Sequence, residues 1–250
     1  MATEATVTAA VLVIGDEILS GRTKDKNIGY IAQYLTDIGI DLREVRVVPD
    51  VAAEIVAALD ALRQRYTYVF TTGGIGPTHD DITADCVAAA FGVPIDVDPR
   101  AVALMRRRYA EGELNEARLR MARIPAGAEL IENPVSHAPG FRIGNVVVMA
   151  GVPNIMQAML DNVAPTLAVG RPMLARTVDA GNLPEGIYAA ALGEVAAANP
   201  HVSIGSYPHF IDGRFRNQIV VRGRDEAAVA AAAAAVQEAI GGLRPDNVPA

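Results

Sequence analysis

Residues 7–14 form an apolar, largely β-branched run, Val-Thr-Ala-Ala-Val-Leu-Val-Ile, that stops at Gly15. A strand without polar alternation needs cover on both faces, the situation of a parallel sheet flanked by helices. The next eighty or so residues keep that grammar. Residues 26–38 place Ile28, Ile31, Leu35 and Ile38 on one helical stripe, with Gly39 as the stop. Residues 42–48 read as a second strand. Asp50 then stands where a helix cap belongs, ahead of a helix through Arg65 with Ile55, Val56, Leu59 and Leu62 on its apolar face. Residues 67–72 read as a third strand, followed by a glycine-rich turn and a helix over 81–91. Strand and helix alternate, which predicts an α/β chain with right-handed crossovers and a mainly parallel sheet.

Further along, residues 99–121 read as an Arg-rich helix broken near Gly112. Residues 128–149 read as hairpin-like pieces punctuated by Asn133-Pro134, Pro139-Gly140 and Gly144-Asn145. A helix over 151–169, with Pro153 near its start, closes this part. Gly170-Arg171-Pro172 marks a boundary, so a domain over 1–170 and an appendage over 171–250 are expected. The appendage reads βαββα, with strands over 174–178, 201–207 and 216–221, helices over 184–199 and 225–240, and a turn at Asp212-Gly213: a small α+β unit.

Composition removes several function classes. The formal net charge is −7 and Trp is absent, which argues against a nucleic-acid partner. Cys86 is the only cysteine, so no internal disulfide forms, and with four scattered histidines there is no zinc pattern. The N-terminus lacks a basic region ahead of an apolar stretch, and the Ala-rich run over 227–235 is too short to span a bilayer. A cytoplasmic protein without a membrane partner is the expectation.

The chemistry gathers in two loops. Gly15-Asp16-Glu17-Ile18-Leu19-Ser20-Gly21 follows the first strand, and Gly73-Gly74-Ile75-Gly76-Pro77-Thr78-His79-Asp80-Asp81 follows the third. In a 2-1-3 strand order both loops face one crevice at the carboxyl ends of the strands. Gly73, Gly74 and Gly76 let backbone N–H groups approach an anion, and Thr78 with the following helix start adds donors. Asp80 and Asp81 repel phosphate, and the usual resolution is a divalent metal between carboxylate and phosphate oxygens, with Asp16 and Glu17 completing the site. The bland alternative is a common glycine turn followed by a capped helix. No P-loop Gly-Lys-[Ser/Thr] and no Gly-x-Gly-x-x-Gly is present, which sets NTPase and dehydrogenase readings aside.

Taken together, the two loops, Asp25-Lys26-Asn27, Ala138-Pro139-Gly140-Phe141 and Gly151-Val152-Pro153, in that order, resemble the MoaB/Mog-type domain of the CinA (competence/damage-inducible) family. The N-terminal part of many eukaryotic FAD synthases is similar. His79 fills a variable slot, Ala150 stands where Pro is frequent, and Ser136-His137 replace a common Gly-Thr. The resemblance implies a MoaB/Mog-like doubly wound, mainly parallel sheet with helices on both faces. It also implies a homo-oligomer and a ligand that is a pterin phosphate or nucleotide diphosphate. By that resemblance the ligand-binding set is Gly15, Glu17, Asp25, Asn27, Gly73, Gly74, Gly76, Pro77, Thr78, Ser136, Pro139, Gly140, Gly151 and Pro153. Asp16, Asp80 and Asp81 form the catalytic and metal-binding set, with Mg or Co as the metal. The deamidase domain of full-length family members does not follow within residues 1–250, so deamidation is not expected.

Two functions follow: metal-assisted hydrolysis of a nucleotide pyrophosphate such as ADP-ribose or FAD, or binding of molybdopterin or a nucleotide without turnover. Elsewhere, Cys86 reads as a small buried hydrophobe. Arg106-Arg107-Arg108 reads as a solvated face from which one guanidinium could reach a diphosphate.

Overall fold

A computed structural model describes residues 6–110, 112–211 and 214–243, without the side chains of residues 211, 214 and 215. The chain divides into two compact units, one ending at Gly170 and the next beginning at Arg171. In the first unit the elements run β1 (Thr8–Ile14), α1 (Asp16–Leu19), α2 (Asn27–Asp37), β2 (Asp41–Val48), α3 (Ala52–Arg65), β3 (Tyr68–Thr72) and α4 (Thr83–Phe91). They continue with β4 (Ile95–Val97), α5 (Pro99–Met105), α6 (Glu116–Leu119), β5 (Arg123–Pro125), β6 (Glu129–Ile131), β7 (Gly140–Ile143), β8 (Val146–Met149) and α7 (Pro153–Val163).

The main sheet has six strands in the order β2-β1-β3-β8-β7-β6. β2, β1, β3 and β8 are mutually parallel, while β7 and β6 extend the sheet through antiparallel pairs. The apolar run that begins the chain explains the layering. Ala10, Leu12 and Ile14 face one core with Ile55, Leu59 and Leu62 of α3 and Val87 of α4, whereas Ala9, Val11 and Val13 face another with Ile31 and Leu35 of α2 and Leu160 of α7. Each successive β1 side chain points to the opposite helical layer, as the two-residue strand period demands. The fold is therefore α/β, with helices on both faces of the sheet.

Two helical expectations need correction. Residues 99–121, expected as a helix broken near Gly112, are α-helical only in the short α5 and α6. Asp98 caps α5 by accepting from the Arg100 N–H at 2.7 Å, and Asn115 separately caps α6 by accepting from the Arg118 N–H at 2.9 Å. Two competent caps in one segment start two helices. At the far end α7 stops at Val163 and the chain passes into a 3₁₀ turn at Ala164–Thr166, because Pro165 cannot donate to the helix ladder.

The second unit runs β9 (Leu174–Gly181), α8 (Glu185–Ala198), β10 (Ser203–Ile211), β11 (Arg214–Gly223) and α9 (Glu226–Gly241), in the expected βαββα order. Its three-stranded antiparallel sheet has the order β10-β11-β9. Val178, Ile219 and Val221 pack on Val229, Val236 and Ile240 of α9 and on Tyr188 of α8. Asp225 caps α9, accepting from the Ala228 N–H at 2.8 Å. The expected Asp212-Gly213 turn lies outside the described residues. Among the described residues no helix is long and apolar enough to cross a membrane.

Candidate functional site

The carboxyl ends of β1, β2 and β3 meet at the point where the strand order reverses. The turn after β3 is shaped by the helix behind it. Thr83 is fully buried; its Oγ1 donates to the Gly73 carbonyl at 3.0 Å and its N–H donates to the Gly74 carbonyl at 2.9 Å. A trans peptide holds its N–H opposite its carbonyl. With both carbonyls drawn to α4, the N–H groups of Gly74 and Ile75 turn away from the helix, toward the crevice these residues line. Gly73 has φ 103°, and a Cβ there would collide with the Ile14 carbonyl at the end of β1. Only glycine lets the two strand ends come this close. Gly151, after β8, completes the backbone wall: a Cβ on it would lie 3.2 Å from Gly73 Cα.

The resulting crevice encloses about 530 Å³. Of the residues expected from sequence, Gly15, Glu17, Gly73, Gly74, Gly76, Pro77, Asp80, Asp81, Ser136, Gly151 and Pro153 line it. A second pocket of about 230 Å³ shares Glu17, Gly73, Gly151 and Pro153 with it and reaches Asp25 and Asn27. Asp16 faces a third, open depression together with Glu17, Asp50 and Asp80. Thr78 lines none of these pockets, and Pro139 lies behind the glycine turn beside Arg120 and Phe141. Gly140 belongs to β7, where a Cβ would strike the Val148 carbonyl, so strand packing accounts for that glycine.

Asp81 does not begin a helix. α4 starts at Thr83 with Ile82 at its cap position and no side-chain cap. Asp81 Oδ2 instead accepts from the Thr78 N–H at 2.8 Å and the Thr78 hydroxyl at 2.6 Å, bracing the glycine turn. Asp80 is exposed, and the Thr78 hydroxyl and its own backbone N–H hold its carboxyl below the usual range. Asp85, in the first turn of α4, pairs with Arg123 at 2.7 Å.

Asp50 is the crevice residue that sequence reasoning placed wrongly. It does not cap α3, which has Val51 at its cap position and no side-chain cap bond. Its Oδ2 accepts from the Asp16 N–H at 3.0 Å, and the residue lines the crevice. Burial raises its pKa; the Asp16 N–H opposes that rise, and the Asp16, Glu17 and Asp80 charges add to it. Its place one residue past Pro49, at the carboxyl end of the strand beside β1, was the available signal.

Asp25 Oδ1 accepts from the N–H groups of Asn27 at 3.1 Å and Ile28 at 2.7 Å, so it organises the first turn of α2. Asn27 Nδ2 in turn donates to the Gly151 carbonyl at 2.8 Å. At the rim, Asn133 holds the Ser136 loop, its Oδ1 accepting from the Val135 and Ser136 N–H groups, both at 2.9 Å. Arg107 pairs with Glu132 at 3.0 Å and Arg108 donates to the Val135 carbonyl at 2.6 Å; neither lines the crevice. Cys86 is buried, with its thiol pushed up to about 11 chiefly by burial and further by Asp85 and Asp50.

The arrangement joins a glycine turn to a group of carboxylates, with Arg22 also lining the acidic depression. Among the described residues, no three His, Cys, Asp or Glu side chains are grouped to hold a metal ion by themselves. The acids therefore fit a divalent ion only with oxygens from a ligand completing its shell.

Comparison with known proteins gives concordant matches. The family described as a probable molybdopterin binding domain matches residues 10–169, and the FAD synthase middle domain matches residues 172–244. A protein of Pyrobaculum calidifontis is 36% identical over 211 residues, 80% of this chain and 80% of its own. A CinA-like protein of Myxococcus xanthus is 32% identical over 244 residues, 91% of this chain and 57% of its own. The crystal structure of the protein CinA from Thermoplasma acidophilum is similar with a TM-score of 0.61 and 35% identity, over 65% of this chain and 99% of that one.

Proposed function

Because the chain belongs to the CinA family and carries a MoaB/Mog-type N-terminal domain, we propose that its crevice binds a phosphate-bearing nucleotide and hydrolyses its pyrophosphate bond with a divalent cation. The observation that carries this reading is the meeting of the Gly73–Gly76 turn with Asp16, Asp50 and Asp80 at one sheet end. A phosphate alone would be repelled by these acids, and a cation alone would lack ligands. Together the two complete each other. The match of residues 172–244 to the FAD synthase middle domain supports a nucleotide as the phosphate carrier.

In this mechanism the N–H groups of Gly74 and Ile75 orient one phosphate, with the backbone partial charges acting in place of basic side chains. A divalent ion, Mg or Co, would take carboxylate oxygens from Asp16, Asp80 or Asp81, and the ligand would supply the rest of its shell. Bound there, the ion supplies charge neutralisation and polarisation of the phosphoryl oxygen. Asp50, which lines the crevice and is fixed by the Asp16 N–H, is placed to take the proton of the attacking water. The new oxygen–phosphorus bond forms as the bond to the bridging oxygen breaks, leaving two phosphate monoesters. From ADP-ribose these are AMP and ribose 5-phosphate.

A second reading, binding of molybdopterin or a nucleotide without turnover, draws on the Thr78–Asp81 brace, which ties the Asp81 carboxylate into the loop. One assay separates the two: release of AMP from ADP-ribose or FAD, with magnesium or cobalt and with chelator, beside direct binding of molybdopterin. AMP release that requires metal supports hydrolysis. Pterin binding without AMP release under any metal refutes it.

A further inference from the structure

The glycine turn is a thin wall with a cation behind it. Gly74, Ile75, Gly76 and Asp81 line the crevice on one side and, on the other, a cavity of about 10 Å³ that Arg120 also lines. Arg120 begins a 3₁₀ turn, Arg120–Ala122, between α6 and β5. Its side chain is poorly matched there. Nη2 reaches the Asp81 carbonyl at 3.4 Å, long for a hydrogen bond, and Nε is buried without a partner. Among the described residues no carboxylate forms an ion pair with it, whereas Arg123 in the same cavity is paired with Asp85 at 2.7 Å. Met121, Ile124, Pro139 and Phe141 supply apolar walls. A guanidinium desolvated against such walls without a counter-charge destabilises a fold. The cavity is too small to admit an anion, having room for about one water.

We propose that the counter-charge of Arg120 is the phosphate bound on the far side of the glycine turn, so that this arginine supports anion binding through one layer of backbone without touching the ligand. This rests on the phosphate reading of the crevice. Gly74 and Gly76 add no side chain to that layer, and the apolar walls behind it limit screening by water. The N–H groups of Gly74 and Ile75 remain the contacts; the guanidinium adds a full charge behind their partial ones. The two carboxylates that share the cavity are engaged elsewhere. Asp81 Oδ2 accepts from the Thr78 N–H and hydroxyl, and Asp85 is paired with Arg123. Arg22 is the contrasting case, because it stands exposed at the acidic depression, where solvent screens its charge. In the free protein Arg120 is therefore a held charge that a bound phosphate relieves.

The test joins calorimetric titration of the intact chain, using inorganic phosphate with magnesium present, to thermal melting of the ligand-free protein. Arg120→Gln keeps a donor for the Asp81 carbonyl and removes the charge; Arg120→Lys keeps the charge. The glutamine variant is expected to bind phosphate about tenfold more weakly and yet to melt higher than wild type when free. The lysine variant is expected to retain wild-type affinity. Weaker binding with a higher melting temperature is a combination that a merely structural role does not give, since a loosened turn lowers both. A glutamine variant that melts no higher than wild type shows that Arg120 already has its counter-charge within the fold, and overturns the inference. Unchanged phosphate affinity in that variant overturns it too, as does a lysine variant that binds as weakly as the glutamine one. Failure of phosphate to bind the wild-type chain overturns the crevice reading and this inference together.

Discussion

Asp50 Oδ2 accepts from the backbone N–H of Asp16 at 3.0 Å, so the end of β2 grips the loop that follows β1. One carboxylate thereby fixes the position of a second acid and adds its own charge to the same depression. The clearest test of the proposed chemistry starts from this bond. Asp50→Asn keeps an acceptor for the Asp16 N–H but removes the charge. Turnover should fall by roughly 10²–10⁴-fold, the range for a lost general base. Full metal-dependent turnover in this variant would remove Asp50 from the mechanism.

The same residue sets a pH dependence of stability. The Asp50 pKa is raised above 3.8 in the folded chain, so its contribution is fully present below that pH and is lost as pH rises through the folded pKa. At neutral pH the ionised group opposes folding. Asp50→Asn should therefore melt higher than wild type at pH 7, and the gap should narrow on acidification. A variant that melts lower at pH 7 would contradict the charge assignment.

Asp81→Asn tests a different property of the same site. An asparagine Oδ1 can replace the acceptor for the Thr78 N–H and hydroxyl, so the turn and the melting temperature should be little changed while metal-dependent turnover collapses. Retained turnover would reduce Asp81 to a brace.

Thr83 predicts a defect in ligand binding without contact to the ligand. Thr83→Val strands the Gly73 carbonyl and should destabilise by about 1–3 kcal/mol, with weaker phosphate binding as the turn loosens. Thr83→Ser keeps the hydroxyl and should restore both. If the valine variant binds phosphate as wild type does, the turn does not need this anchor.

Ligand and metal should stabilise together. A slowly hydrolysed pyrophosphate analogue at about a hundred times its Kd contributes roughly 2.7 kcal/mol, or about 5–10 °C in Tm for a chain of this size. With chelator the shift should be much smaller. Equal shifts with and without metal would favour the plain binding module.

Cys86 should be inert. With its thiol pushed up to about 11, the reactive thiolate is scarce at pH 8, and a mild thiol reagent should modify the native protein slowly without loss of activity. Cys86→Ser should cost on the order of 1–3 kcal/mol if its hydroxyl finds no partner, with activity per folded molecule preserved.

Much of this molecule is readable in its chain because its central strands are buried on both sides. The run ending at Ile14 carries the doubly covered sheet, and Gly73-Gly74 carries the close turn, since both are local consequences of side-chain size and polarity. Asp50 was misread for the opposite reason. An Asp ahead of a helical pattern resembles a cap, and nothing within a few residues reveals that its partner is an N–H 34 positions earlier. The start of the following helix was read too early for a similar reason, because Asp81 bonds Thr78 and α4 begins at Thr83. The unmatched Nε of Arg120 is invisible in sequence altogether, since an unmet hydrogen bond is a property of the packed state.

Gly151 and Gly73 meet backbone to backbone, and that contact limits how this site can change. At most packed positions a larger residue can be accommodated by shrinking its neighbour. Here neither partner has a side chain to trim. A methyl group at 151 requires the ends of β8 and β3 to part by a few tenths of an ångström, which shifts the glycine turn with them. Variation in specificity must therefore enter elsewhere, through the Ser136 loop or the wall of the smaller pocket that carries Lys24 and Lys26, while the junction between the two strand ends keeps its composition.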